Sequence, residues 1–489
     1  MMANSSTTLT LFVLLVIFWG TGSQAQSCKG QTWFAKQVET IMAQSNGTTW
    51  AIDVRAPVGD GSFEDYYAFN RDHPMTPASN TKLLTCGTAW INTPHEAQYL
   101  TKLSTQASSA SAVQLCLQCA ADPGFSEQAL EALMAAASGS GDKPSDVLAI
   151  SPRYPGPEFA DSWQVGDVVA DYGAHPAQGC LVNGNLFSFS ALPNPSGRGP
   201  VVLNFSSPAV ASSVDVDTSL TFTQSGGPPL TAQYVMGRTG LILAGSLAPN
   251  AQAQAFNDLP VAIATEFYSR MALYYARKAG LVSGGAQLAW KPCEPKNLFY
   301  SKSAQLSALL NHTLQESDNF YAETIARLNA YQVNAPPPPM DGPAAIDLGI
   351  ATISQTLGSL GISSAWQLYD GSGVSRFNLI APQVLGDLLQ YLFSRPDFAQ
   401  FQPLLPTGCV SGTLSSRFCS PATAGKVHAK TGTLTHDIAL SGYAYAPYSP
   451  QPFIFSVIAN NSPLSGTATR VYLDAIVQAI FEIQTNCSN

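Results

Sequence analysis

Apolar residues recur at helical spacing near both ends of the chain. From Thr32 to Ala43, Trp33, Phe34, Val38, Ile41 and Met42 form one stripe and predict an amphipathic helix. From Val471 to Ile483, Tyr472, Leu473, Ile476, Val477 and Ile480 do the same and predict a closing helix. Two-residue alternation marks strands: Trp50, Ile52 and Val54, then Tyr67 and Phe69, and later Ala439 to Ala446 and Phe453 to Ile458. Helix and strand material at both ends, with strands adjacent at the C-terminal end, predicts an α+β domain built from the two termini together.

The middle of the chain reads differently. Residues 96–289 are rich in Ala, Ser, Gly and Pro, with short strand-like runs such as Val201-Val202-Leu203 and Leu241-Ile242-Leu243. This stretch is expected to be an inserted domain, leaving residues 26–95 and 290–489 as one discontinuous domain. A length of 489 residues agrees with more than one core. Ala335-Pro336-Pro337-Pro338-Pro339 reads as a stiff connector or exposed loop. No internal repeat is visible.

The first residues add a destination. Leu9 to Trp19 is an apolar run followed by Ser23-Gln24-Ala25, so residues 1–25 read as a secretory signal peptide that is cleaved rather than kept as an anchor. No later stretch has the length and apolarity to span a bilayer, so stable membrane insertion is not expected and the mature protein should be secreted, periplasmic or extracellular. A formal charge of -9 and no Lys/Arg run argue against nucleic acid as a partner.

All nine cysteines follow the expected cleavage point, in a setting that permits disulfides. Cys409 and Cys419 are spaced to close a short loop, and Cys28 and Cys487 to staple the ends of the mature chain. Cys116 and Cys119 form a lone C-x-x-C without a second pair or flanking His, so no zinc, and no other metal or cofactor, is expected. The odd count leaves a thiol over, and Cys86 is the candidate. N-x-S/T sequons stand at Asn46, Asn204, Asn311, Asn460 and Asn486.

Three short motifs carry the chemistry: Ser79-x-x-Lys82, Ser317-Asp318-Asn319 and Lys430-Thr431-Gly432-Thr433. Ser140-Gly141-Asp142-Lys143 also fits S-x-x-K, but it stands in a Gly/Ser stretch before Pro144 and reads as loop. Ser79 follows Pro77 at a predicted helix start, where Lys82 lies one turn on along the same face and the helix dipole favours negative charge on the serine oxygen. A serine hydroxyl needs a base, and a lysine serves only when burial or a second cation lowers its pKa. Ser317 is suited to relay a proton between Lys82 and a leaving amine. Asn319 is suited to position Lys82 and to bond a substrate amide. Lys430 is expected to keep Lys82 neutral and to attract a terminal carboxylate, with Thr431 and Thr433 donating hydroxyl bonds. Gly432 permits close backbone approach to a substrate, and the N–H groups of Ser79 and Thr433 form the natural oxyanion hole.

The ordered set resembles that of the penicillin-binding serine acyl-enzymes. The chain is similar, over nearly all of its mature length, to the D-alanyl-D-alanine carboxypeptidase/endopeptidase family with a large insert, the class C low-molecular-mass penicillin-binding proteins of serine peptidase family 13. Pro77-Ala78-Ser79-Asn80-Thr81-Lys82-Leu83 resembles the family's nucleophile segment, and Ser317-Asp318-Asn319 with Tyr321-Ala322-Glu323 its second motif. Asp370-Gly371-Ser372-Gly373 with Ser375-Arg376 resembles its D-G-S-G loop. Trp163 and Tyr172-Gly173-Ala174-His175-Pro176 are similar to part of its insert, with His175 standing where the family usually runs Gly-Ala-Pro unbroken. The 234 residues between Lys82 and Ser317 fit an insert-bearing peptidase better than a compact β-lactamase. The resemblance implies a β-lactamase/transpeptidase-like antiparallel sheet flanked by helices. It also implies peptidoglycan stem peptides ending in D-Ala-D-Ala as substrate, and β-lactams as inhibitors acylating Ser79. Two alternatives stay open: a β-lactamase or related esterase, and an inactive cell-wall peptide-binding protein. Neither G-x-S-x-G nor H-E-x-x-H occurs. Cys86, seven residues after Ser79 on the same helix face, is expected beneath the nucleophile.

Overall fold

The structure is a computed structural model and describes residues 29–107, 113–140, 143–163, 175–234, 240–294, 299–362, 365–449 and 451–484. The signal-like segment, Cys28, Cys487, Asn486 and Tyr172 to Ala174 lie outside the described residues.

The two ends of the chain meet in one five-stranded sheet. Its order is Val427–Leu434, Asp437–Ala444, Phe453–Asn460, Thr49–Pro57, Phe63–Phe69, and every neighbouring pair is antiparallel. Trp50 lies opposite Ala459, and Val54 opposite Phe455. Alternation along these strands sorts side chains onto two faces. Trp50, Ile52, Val54, Phe455 and Val457 face the helices Gln31–Ala43 and Gly466–Ile480. Ala51, Ile454, Ile458 and Ala439 face a second core that includes Thr81–Asn92 and Pro382–Ser394.

Because helices cover both faces, Phe453–Asn460 is buried at every position, and each fully buried Ile, Val or Phe contributes roughly 1.5–3 kcal/mol. The closing helix begins at Gly466 rather than Val471. The Ser465 hydroxyl caps it, accepting from the Ala468 amide at 3.2 Å, a polar signal that the apolar stripe does not carry.

The middle of the chain has its own core, in which Leu103, Leu115, Leu148, Phe189, Leu243 and Met271 take part. A five-stranded sheet there runs Val282–Trp290, Ser145–Ser151, Val113–Gln118, Leu100–Ala107, Phe299–Lys302, with its first three strands mutually parallel. Two three-stranded sheets complete it. Cys116 bonds Cys293 and Cys119 bonds Cys180, so a different bridge uses each thiol of the C-x-x-C. Cys409 and Cys419 are joined, as their spacing predicts, and Cys86 is free and buried. Among the described residues no helix is long and apolar enough to cross a membrane.

Candidate active site

Ser79 occupies a single 3-10 turn, Ala78–Asn80, directly ahead of the helix Thr81–Asn92. Ala78 enters this turn at a φ of 48°, a conformation sparsely populated by residues with a side chain. The turn is held by Gly373, where a Cβ would lie 1.9 Å from the Ala78 carbonyl oxygen. Gly432 serves the same turn from the other side, since a Cβ on it would lie 2.6 Å from the Pro77 oxygen. Where the sequence predicts a close approach between Gly432 and a substrate, the structure shows an approach to the backbone of the Ser79 turn.

Lys82 is fully buried. Its Nζ donates to Ser79 Oγ at 3.0 Å, Asn319 Oδ1 at 2.5 Å and the Ser372 carbonyl at 2.6 Å. Burial pulls its pKa down from 10.5 to about 8, against the opposing pull of Asp370 and Asp318. An ammonium offers three protons, and these acceptors take all three. A neutral amine keeps two N–H bonds and gains a lone pair. Asn319 Oδ1 and the Ser372 carbonyl can only accept, so the lone pair falls to Ser79, the one partner that carries a proton to give.

The second motif bends sharply at Ser317, with φ at 61°, and turns into the helix Asn319–Leu328. Asp318 caps that helix, its Oδ1 accepting from the Tyr321 amide at 2.9 Å while Oδ2 meets His312 Nε2 at 3.0 Å. Against the upward push of burial, those two bonds hold the Asp318 carboxyl below its usual range. The same contact raises the His312 pKa.

Lys430, on the edge strand Val427–Leu434, is also fully buried. Its Nζ donates to Ser317 Oγ at 2.8 Å and to the Thr431 carbonyl at 2.9 Å, and Asn80 Nδ2 donates to the Lys430 carbonyl at 3.1 Å. Burial first, and then the neighbouring Lys82 charge, push Lys430 well below the ordinary lysine pKa. The expected division of labour shifts accordingly: burial is the main depressor of Lys82, and the repulsion between the two lysines weighs on Lys430. Ser317 contacts Lys430, whereas the three partners of Lys82 are elsewhere. The Thr431 hydroxyl donates to Thr413 Oγ1 at 2.8 Å, and Thr433 is exposed. Ser140, the other S-x-x-K serine, ends a 3-10 turn in the central region.

Two parts of the site are absent from the motif logic. Ser372 supplies the third acceptor for Lys82, and the loop that carries it is built around buried carboxylates. Glu323 Oε1 accepts from the amides of Gly371 and Ser372 at 2.8 and 2.9 Å, and Oε2 pairs with Arg327 at 2.6 Å. Asp370 accepts from the amides of Gly373 and Ser375, from Asn378 Nδ2 and from Trp163 Nε1, the last at 2.8 Å. Backbone acceptors have no residue signature. The D-G-S-G resemblance and Tyr321-Ala322-Glu323 were the available signals. Cys86 lies buried, its thiol pushed up to about 12 by desolvation, and is therefore an inert packing group.

A model of the D-Ala-D-Ala carboxypeptidase 3 (S13) family matches residues 34–482. The chain belongs to that family. As an S13 member it is a serine peptidase, a hydrolase of the D-Ala-D-Ala carboxypeptidase type. It is similar to the penicillin-sensitive carboxypeptidase A of Dictyostelium discoideum, with 26% identity over 466 residues, covering 88% of this chain and 87% of that one. It is also 26% identical over 440 residues to a D-alanyl-D-alanine carboxypeptidase of Actinomadura sp., covering 86% and 79%. In fold it is similar to penicillin binding protein 4 of Haemophilus influenzae, at 20% identity and a TM-score of 0.75, covering 91% of this chain and 98% of that one.

Proposed function

We propose that this S13 peptidase acts through a Ser79 acyl-enzyme on peptidoglycan stem peptides ending in D-Ala-D-Ala. The observation that carries the reading is the 3.0 Å contact of Ser79 Oγ with Lys82 Nζ, whose other two partners are pure acceptors. Lys82 takes the serine proton as Oγ attacks the carbonyl of the penultimate residue, and its three acceptors then suit the ammonium it becomes. Backbone N–H groups of Ser79 and Thr433 receive the oxyanion, each worth roughly 3 kcal/mol. Ser317 passes a proton to the leaving amine, and Lys430 replaces it. Thr431 and Thr433, with Lys430 behind them, receive the terminal carboxylate. Water then releases the acyl group. A β-lactam enters by the same attack, but its leaving amine stays tethered.

The catalytic unit in this reading is residues 26–95 with 290–489; the insert 96–289 packs beside it, in part through the Trp163–Asp370 bond, and the strand Phe299–Lys302 completes the insert's sheet. Three disulfides among the described residues support an extracellular or periplasmic site of action after signal cleavage.

The test is incubation with a labelled penicillin, mapping of the adduct by mass spectrometry, and assay of D-alanine release from a D-Ala-D-Ala peptide. A slowly hydrolysed adduct on Ser79, absent from Ser79→Ala, together with D-alanine release, is expected. Rapid β-lactam turnover without D-alanine release would instead mark a β-lactamase. No adduct at all would mark a binding protein.

A further inference from the structure

We propose that Thr413 is a positioning residue for the carboxylate clamp, forming with Thr431 a two-hydroxyl relay whose direction reverses when a substrate carboxylate binds; this rests on the acyl-enzyme reading above. Thr413 sits in the 3-10 turn Gly412–Leu414, inside the loop closed by Cys409 and Cys419. That loop is anchored on three sides. The Cys409 amide donates to the carbonyls of Leu414 and Arg417 at 3.0 and 2.8 Å, and Leu414 is buried in the core under the sheet. Gly412, at a φ of 54°, packs so tightly on Gln315 that a Cβ would lie 2.5 Å from Gln315 Oε1. Gln315 is in turn fastened to the Leu405 carbonyl at 2.9 Å and stands two residues before Ser317. The turn is thus wedged between the second motif and the K-T-G strand, with Thr413 aimed at Thr431.

In the structure the Thr431 hydroxyl donates to Thr413 Oγ1 at 2.8 Å. A hydroxyl has one proton and two lone pairs, so Thr431 cannot give that proton to Thr413 and to a carboxylate at once. When the carboxylate arrives, Thr431 turns its proton outward, and the oxygen left facing Thr413 needs a donor. Thr413 can supply one because its own hydroxyl also rotates. The reversed chain, Thr413 to Thr431 to carboxylate, polarises in one direction, and bonds in such a chain strengthen one another. A carboxylate-free ligand has no use for the reversal.

The experiment compares second-order acylation of Ser79 by benzylpenicillin and by its methyl ester, which differ only in the carboxylate, read by intact-protein mass spectrometry. Thr413→Val keeps shape and removes the hydroxyl. It should slow acylation by the acid ~5- to 10-fold, the loss of one hydrogen bond in a charged chain, and leave the ester within about twofold. Thr413→Ser should restore the acid rate to within about twofold of wild type. Equal losses on acid and ester would assign Thr413 a framework role and overturn the relay. No loss on the acid, or a wild type indifferent to the carboxylate, would overturn it as well. If Thr413→Val lacks a cooperative melting transition, Thr413→Ala takes its place. A wild type acylated by neither compound sinks the acyl-enzyme reading itself, and the relay with it.

Discussion

Lys82 Nζ lies 2.6 Å from the carbonyl oxygen of Ser372, a residue 290 positions away in the chain. In the proposed acyl-enzyme reading this bond decides how the lysine acts as a base. With Asn319 Oδ1 it occupies two N–H bonds in either protonation state, so deprotonation leaves the lone pair on Ser79.

Acylation is therefore expected to rise with pH. The Lys82 pKa is lowered from 10.5 to about 8, so the active neutral form is roughly a tenth of the enzyme at pH 7. The rate constant for acylation by benzylpenicillin should climb ~10-fold per pH unit below 7 and level off above about 8. A flat profile between pH 6 and 9 would remove Lys82 from the role of base. Folding responds with the same sign. The unfolded chain binds more protons than the native one between about 8 and 10.5, so this lysine's contribution to stability improves as pH rises through that window.

Gly373→Ala tests the support of the Ser79 turn. Its φ of +88° disfavours any side chain, and a Cβ would sit 1.9 Å from the Ala78 oxygen. Ala78 must move, and Ser79 with it. We expect at least ~100-fold slower acylation, the scale of a misplacement of about 1 Å, with a smaller fractional loss of thermal stability. Wild-type acylation in this variant would show that the turn does not depend on the glycine.

Glu323→Ala should be severely destabilising. It removes the acceptor of two buried amides and leaves the guanidinium of the buried Arg327 without its carboxylate. The expected cost is about 3–5 kcal/mol in urea unfolding. Glu323→Gln keeps an acceptor for the amides and should fall between. A loss under 1 kcal/mol for the alanine variant contradicts this account.

Glycosylation separates the sequons. When the protein is secreted from a eukaryotic host, Asn46, Asn204 and Asn311, which are exposed, should carry glycans. Asn460 should not. It is buried, its Oδ1 accepts from the Thr76 amide at 2.7 Å, and its Nδ2 donates to the Thr76 carbonyl at 3.0 Å. Peptide mapping after enzymatic deglycosylation in heavy-oxygen water reads each site, and a modified Asn460 would be incompatible with the native strand.

Much of this protein is legible in one dimension. The stripe from Trp33 to Met42 and the alternation at Trp50, Ile52 and Val54 report burial directly, because helix and strand geometry map spacing onto faces. Ser79 and Lys82 are legible for the same reason, being one turn apart. Cys86 could be placed one helical turn beyond Lys82 by counting along the helix, and it is buried there; Cys409 with Cys419 could be placed by the shortness of their loop.

What spacing cannot encode is which distant groups converge. Ser372 acts through its carbonyl, which every residue possesses. Glu323 is tied to the Lys82 loop by the amides of Gly371 and Ser372 folded against it, and Thr413 to the K-T-G strand by the hydroxyl opposite. Cys116 and Cys119 are three apart, yet the fold sends them to Cys293 and Cys180. The sequence by itself determined the Ser79–Lys82 spacing and the elements that bear the two residues, since those depend on local periodicity and residue chemistry. Only the tertiary structure decided that Lys82 is buried with three acceptors, that Ser317 answers to Lys430, and that Thr431 has a partner. Burial and hydrogen-bond direction arise when segments hundreds of residues apart exclude water together.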